Sequence, residues 1–298
     1  MTDLWIGTTS KMVTIPMSDL PFSVSDSGYG ETMSFENGGS AAVVSPAFSK
    51  RYDFSYSVED AALLSQVRRL RQGSYGTGLI YFSDPGTYHR NVLPAHWAEP
   101  GLLEQDWPDI YDTAPTGYAN VSTNSYDQPL RKATWAITQA ANAAPTNTNS
   151  MCVIAIPPSY TLWVGVSGVA TGTAVARLTG YNIAAGSSSG SALTLLTDTS
   201  STRLNASLAG SSYDYAILDF RRTSSAASTL TVTSALAQIW PTGVTPTLTG
   251  NHLPGEGHSG VRFLGGSTSS QYRLVRDGAR WEGLGFSLLE VGAWATTS

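Results

Sequence analysis

Charge is missing from the middle of this 298-residue chain: no Asp, Glu, Lys or Arg occurs between Lys132 and Arg177, nor between Arg222 and Glu256. Acid–base catalysis draws on ionisable side chains, so about a quarter of the protein has little material for it. Cysteine is almost absent. The single Cys152 excludes an intrachain disulfide and any zinc site built on several thiolates. Its neighbours Met151, Val153 and Ile154 predict a buried strand position. Positive charge is scarce, with Lys+Arg 17 against Asp+Glu 22 and a net charge of −5. Phosphate recognition needs a concentrated basic surface, which argues against a nucleic-acid partner. The one basic cluster, Arg68-Arg69-Leu70-Arg71, falls at the end of a predicted helix, where cations favour the helix dipole. No run approaches the roughly 20 apolar residues that span a bilayer, so no membrane insertion is expected. The opening MTDLWIGTTS lacks the basic-then-apolar layout of a signal peptide. The expectation is a protein kept in a cytoplasm or leaving by a route other than classical secretion, such as assembly into a virus particle released by lysis.

What fills the neutral middle is Ser, Thr, Ala, Gly and short aliphatic runs with β-type alternation. Hydrophobic content of 41% with only 13% charged residues supports packed cores under an unusually neutral surface. Six of the eight Trp lie outside residues 150–241. The chain therefore divides into aromatic, charged flanks, 1–142 and 251–298, and a neutral segment, 150–241, joined through linkers at 143–149 and 242–250. In the first flank Leu4–Ile6, Met12–Ile15, Met33–Phe35, Ala41–Val44 and Phe48–Ser57 read as strands between Gly, Pro, Asn and Ser clusters. One helix is predicted from Val58 to about Gln72, with Ser57 as N-cap and Gly73 as stop. Its apolar stripe is Val58, Ala61, Ala62, Leu64, Val67 and Leu70. Leu79–Phe82 is a further strand, and Arg131–Asn142 fits a short helix or a strand. Strands are expected in the neutral segment at Met151–Ile156, Tyr160–Ser167, Ala174–Tyr181, Ala192–Leu196, Tyr213–Arg222 and Thr229–Trp240. That spacing, with Gly/Ser turns, suggests a sandwich or jelly roll. Near the C-terminus, Tyr272–Arg276, the Asp277-Gly278 turn signal and a strand from Trp281 form a hairpin pattern. Its style matches the first flank, so His252–Ser298 is expected to pack back onto it. The fold class is thus mainly β, with one α-helix in a domain made of both flanks, plus an inserted or appended β-sandwich.

Tests for chemistry favour none strongly. Gly186-Ser187-Ser188-Ser189-Gly190 matches the G-x-S-x-G pattern of serine hydrolases, but that motif needs a helix after the serine, and none is predicted. Glycoside cleavage needs two opposed carboxylates. The candidates are Glu99, Glu104, Asp106, Asp109 and Asp112, interleaved with Trp97, Trp107 and Tyr111; a solvated acidic loop is the plainer reading. Asp106, Asp109 and Asp112 could hold Ca²⁺, although calcium loops usually space their ligands more closely. His89, His96, His252 and His258 are scattered without zinc-protease spacing. Phosphate-loop and dinucleotide fingerprints are absent, and no cofactor or metal is expected. Sugar binding remains, since proteins stack aromatic rings on the apolar faces of sugars. Trp163 falls on the polar face of its strand beside Thr161 and Gly165, with Tyr181, Tyr213 and Tyr215 as further candidates; cover of Trp163 by a loop or a neighbouring subunit is the plainer reading.

Several phrases carry a resemblance. Ser45–Ser55 (SPAFSKRYDFS) with the following helix, Gly78–Pro85 (GLIYFSDP), Asn91–Leu102 (NVLPAHWAEPGL) and Leu253–Phe263 (LPGEGHSGVRF) resemble minor tail proteins of siphophages infecting actinobacteria. The strand–helix–strand order with a late β domain looks like the distal tail protein group. The resemblance covers both flanks. It implies a ring-forming β domain at the tail tip, with the chain itself (hexamer or trimer), the tail tube and tail-tip hub proteins as partners, and a virion location. It also implies a peripheral β-sandwich, of a type that in relatives resembles carbohydrate-binding modules and could engage host cell-wall polysaccharide. It carries over no catalytic residue, and the expectation is a structural protein. The alternative is a tail-associated cell-wall glycoside hydrolase using the Glu99–Asp112 acids.

Overall fold

A computed structural model describes residues 3–16, 23–34, 40–84, 90–93, 120–127, 132–139, 148–171, 174–193, 205–222, 228–246, 260–264, 273–276 and 279–290. The molecule is mainly β, with a single α-helix among the described residues and antiparallel pairing throughout its named sheets. The chain begins with the hairpin β1 (Leu4–Thr8) and β2 (Lys11–Ile15). The long strands β3 (Ser23–Ser34) and β4 (Ser40–Asp60) follow, paired with each other. Sequence signals divide β4 into two separate strands; the structure joins them. Pro46 lies where residues 45–47 oppose only residue 29, between the pairs Gly28↔Phe48 and Gly30↔Val44. Proline has no N–H for the ladder, so it shifts the register there while the strand continues on both sides.

Helix α1 spans Ala61–Arg71 and starts later than the sequence predicts. Pairing of Asp60 with Trp281 and of Glu59 with Glu282 holds residues 59 and 60 in a ladder, so helical geometry begins only where that ladder ends. Asp60, not Ser57, is the N-cap, its carboxylate accepting from the Ala62 N–H at 2.8 Å. Gly73, at φ +71°, ends the helix as expected, in a conformation that suits a residue without a Cβ. Leu64, Val67 and Leu70 form the buried stripe. Each contributes about 1.5–3 kcal/mol by leaving water.

Strand β5 (Tyr81–Ser83) completes a sheet of order β2-β1-β5. The chain then passes through Asn91–Leu93 to β6 (Asn120–Asp127) and β7 (Lys132–Gln139). These two do not join the flanking unit, as a boundary at 142 would require. They extend a five-stranded sheet of order β12-β9-β14-β7-β6, with β9 (Tyr160–Thr171), β12 (Ala206–Ala209) and β14 (Ser228–Pro241). The reason is topological: β14 has an open edge beyond β9, and β7 pairs with it from Ser228 to Val232. Arg131–Asn142 therefore resolves as a strand over its described part. A four-stranded sheet of order β11-β10-β13-β8 lies against the five-stranded one. Its members are β8 (Thr148–Ala155), β10 (Ala174–Asn182), β11 (Ser187–Leu193) and β13 (Tyr215–Arg222). Both sheets send aliphatic side chains into one cluster: Cys152, Ile154, Leu178 and Leu218 from one, and Leu162, Val164, Val166 and Ile239 from the other. Strand β11 begins earlier than expected because the low-complexity Ser/Gly run is captured by pairing with β10.

The last strands return to the start. Strand β17 (Ala279–Glu290) pairs with β4, with β15 (Val261–Phe263) and with β16 (Arg273–Arg276), the last in a register that brackets Asp277-Gly278. Where the chain leaves the flanking unit and re-enters it, Ile80 and Val261 exchange two backbone hydrogen bonds at 2.9 Å. The neutral segment is thereby flanked in sequence by strands that pair with each other. Residues from α1, β1, β2, β4, β5 and β17 share a second cluster, rich in aromatic rings. The β2-β1-β5 sheet is covered on both faces. Leu4, Ile6 and Val13 point to that cluster, while Trp5 and Met12 point to Ala155 and Tyr215 of the four-stranded sheet.

Candidate functional site

The four aromatic residues singled out as sugar candidates do not converge on one surface. Tyr181 and Tyr215 are directly opposed on β10 and β13, and their rings stack at 5.0 Å and 6°. They lie in the seam with the β2-β1-β5 sheet, where Trp5, Met12 and Tyr81 pack against them. The Trp5 indole donates to the Asp214 carbonyl at 2.9 Å, and the Ile156 N–H donates to the same oxygen at 3.0 Å. Asp214 also accepts from the Ile183 N–H through its carboxylate at 2.7 Å, fixing the turn that carries the seam. Burial, with Tyr181 and Asp214 beside it adding to the effect, pushes the Tyr215 phenol above its ordinary value. Tyr215 is only 7% exposed, with one ring face taken by Tyr181. Tyr213 packs over Gly180, where an added Cβ would meet its ring at 2.7 Å, and rests against the aliphatic cluster. These three tyrosines fasten the neutral unit together and to its neighbour.

Trp163 is placed differently. Alternation along β9 buries Leu162, Val164 and Val166 inward and turns Thr161, Trp163, Gly165 and Ser167 to the outer face of the five-stranded sheet. In register, Trp163 lies beside Gln238 of β14 on one side and Ser207 of β12 on the other, while Thr161 lies between Trp240 and Ala209. The outer face grades along the strands. Ser167 is fully buried, whereas Thr161, Trp163 and Trp240 are partly open to solvent and Ser207 is exposed. The Trp240 indole donates to the Gln238 side-chain oxygen at 3.0 Å, holding amide and ring in one arrangement. The Trp163 indole N–H is shielded and has no hydrogen-bond partner.

Sequence reasoning reached Trp163 and missed Gln238 and Trp240. The signal was present: in Leu236-Ala237-Gln238-Ile239-Trp240 the inward Ala237 and Ile239 alternate with outward Leu236, Gln238 and Trp240. Pairing Trp240 with the Trp163 strand, however, required the β9–β14 register.

The nucleophile candidates find other settings. Gly186, at φ +58°, turns the chain directly into β11, so Ser188 sits in a strand opposite Tyr181, where the serine-hydrolase motif needs a turn into a helix. Cys152 is buried in the aliphatic cluster, and burial pushes its thiol up to about 12, which keeps it protonated and unreactive. Among the described residues no group of three or more His, Cys, Asp or Glu is placed to hold a metal ion, and no helix is long and apolar enough to cross a membrane. Glu99, Glu104, Asp106, Asp109 and Asp112 with their aromatic neighbours, and all four histidines, lie outside the described residues. Comparison with protein-family models, with curated proteins and with solved structures gives no match.

Proposed function

We propose that the chain is a structural component of a bacteriophage tail tip, of the distal or minor tail protein kind. In this reading the aromatic unit forms a ring that joins the tail tube to the baseplate or fibres. The neutral unit stands out from the ring as a β-sandwich of the carbohydrate-binding-module type and engages host cell-surface glycan. The observation that carries the reading is the closure of the first unit by its own distant end, with β17 pairing to β4 across the inserted segment. That arrangement leaves a self-contained module of one helix on strands, and it holds two of the phrases that resemble tail proteins over their described parts, 45–55 and 78–84. It carries the second module as an insert between β5 and β15. The jelly-roll description is supported by the connections: between β6 and β14 only β6–β7 and β10–β11 remain within one sheet, and every other step changes sheet. The Ser/Thr-rich strands β9, β12 and β14 of that module carry no Asp, Glu, Lys or Arg, which suits a surface that meets sugars and other virion proteins.

The test is assembly of the full chain. Native mass spectrometry and negative-stain imaging of the purified protein, alone and with the tail-tube protein of its parent particle, should show closed rings of identical subunits. A chain that stays monomeric at its highest soluble concentration, both alone and beside that tube protein, overturns the reading.

A further inference from the structure

We propose that the outer face of the five-stranded sheet, at its Tyr160–Pro241 end, is a binding site for an uncharged pyranose chain. Trp163 and Trp240 act there as stacking surfaces, with the Gln238 amide beside both. The inference rests on the glycan-binding half of the reading above and assigns it a place and a ligand class.

Three observations converge on this face. The first is its chemistry. The outward positions at this end are Thr161, Trp163, Ser207, Ala209, Gln238 and Trp240, with no charged group among them. Among these positions a phosphorylated or acidic ligand would find no cation to pair with, and a cationic one no carboxylate. A pyranose ring offers apolar C–H faces for indole rings and equatorial hydroxyls for an amide and for the Thr161 and Ser207 hydroxyls. The second is preorganisation. The hydrogen bond from the Trp240 indole to Gln238 holds both groups in place before any ligand arrives, which lowers the ordering cost of binding. The third is the state of Trp163. Its indole N–H is shielded with no acceptor, an unfavourable arrangement that a phenylalanine would avoid if the position served packing alone. Its ring nevertheless remains partly open to solvent. Position supports access: the seam with the flanking unit occupies the outer face of the other sheet, so this face points away from that unit.

The experiment uses the full chain and three linear tetrasaccharide probes: the N-acetylglucosamine tetramer, its deacetylated cationic form, and an anionic tetramer of mannuronic acid. Binding is read by tryptophan emission and titration calorimetry. The neutral probe should bind saturably and outcompete the other two. Trp163→Ala and Trp240→Ala should each weaken binding about tenfold or more, the loss of one stacking partner. Trp163→Phe should keep most of the affinity. Because alanine at either position could disturb the sheet, Ser207→Arg provides an exposed change that crowds the space beside Trp163. It should abolish binding while leaving the circular dichroism spectrum and thermal midpoint at wild-type values. Wild-type binding unaffected by Trp163→Ala, Trp240→Ala and Ser207→Arg overturns this site while leaving glycan recognition intact. Preference for a charged probe overturns the ligand class. Failure of the wild type to bind any probe, or polysaccharide extracted from the host wall, overturns the glycan half of the proposed function along with the site.

Discussion

Around α1 the core is made of rings. Phe54 stacks on Phe286 at 4.7 Å, Tyr56 lies parallel to Phe286 at 6.2 Å, and Phe82 meets Tyr52 and Phe54 edge-on. In the neutral unit the buried cluster contains no aromatic residue among those described. It is built from Leu, Ile, Val and Ala with Cys152, and Tyr160 and Tyr213 only border it. The difference follows from what each core must fill. Two facing sheets approach to about 10 Å, a gap closed by interdigitated branched side chains of modest size. A helix crossing a twisted sheet leaves wider, less regular spaces, which flat rings fill with favourable edge and face contacts. The neutral unit can therefore leave Trp163 and Trp240 at a surface, while the flanking unit buries Phe54, Phe82 and Phe286.

The comparison is most easily broken at Phe286, which touches three other rings of the aromatic core. Phe286→Ala should cost about 3–5 kcal/mol in denaturant unfolding. An early transition confined to the flanking unit, with β-signal from the neutral unit preserved, is the expected outcome. Cooperative loss of both units would show that their cores are one.

Asn91 provides the counterpart in the neutral unit. It is 1% exposed, donates to the Ala235 carbonyl at 3.1 Å, and accepts from the Ala237 and Leu93 N–H groups at 3.0 and 3.2 Å. Together with the hydrogen bond from the Val92 N–H to Ala237 at 2.8 Å, it straps the incoming chain to β14. Asn91→Ala strands buried backbone groups and should cost about 2–4 kcal/mol. An unfolding midpoint that hardly moves would remove this strap from the account.

The seam is a weaker link. Trp5→Phe keeps the ring but deletes the hydrogen bond to Asp214, with an expected loss of about 1 kcal/mol. Amide exchange should rise selectively around Ile183 and Asp214. Unchanged exchange there would mean that the stacked Tyr181–Tyr215 pair alone fastens the units.

The smallest effect concerns pH. The buried Cys152 thiol is raised from 9.0 to about 12, so the native state holds the neutral form while the unfolded chain ionises. The stability this provides is fully present below about 9 and is lost as pH rises from there towards 12. Tyr215 shifts in the same direction and adds to the decline. Urea unfolding should give a stability plateau below pH about 9 and a falling limb above it, shallower in Cys152→Ala. A falling limb identical in the variant would trace it to other groups.

Much of the fold was legible where periodicity is strong. The Leu64, Val67 and Leu70 stripe marks the helix, and the alternation of Leu162, Val164 and Val166 marks the inner face of β9 through spacing alone. Local signals failed wherever a partner strand decided the outcome. Ser57 is a good cap by type, yet pairing with β17 held the following residues extended and moved the cap to Asp60. Residues 120–139 carry no mark of which sheet they extend. Their place was settled by the free edge of β14. At the surface the same limit applied: Tyr215 and Trp163 look alike as aromatic residues on outward strand faces, and only the neighbouring sheet separates them.

The order of residues, by itself, determined that this protein is mainly β with a helix ending at Gly73, that Cys152 is buried, and that residues 133–176 and 223–255 carry no Asp, Glu, Lys or Arg. Those properties follow from each residue's own size, polarity and spacing. Tertiary structure decided that one outer sheet face is taken up by Trp5 and its neighbours, while the opposite one presents Trp163, Gln238 and Trp240. A strand's alternation defines two faces, but only what packs against the sheet makes one of them a seam and leaves Trp163, Trp240 and Ser207 on the other in reach of solvent.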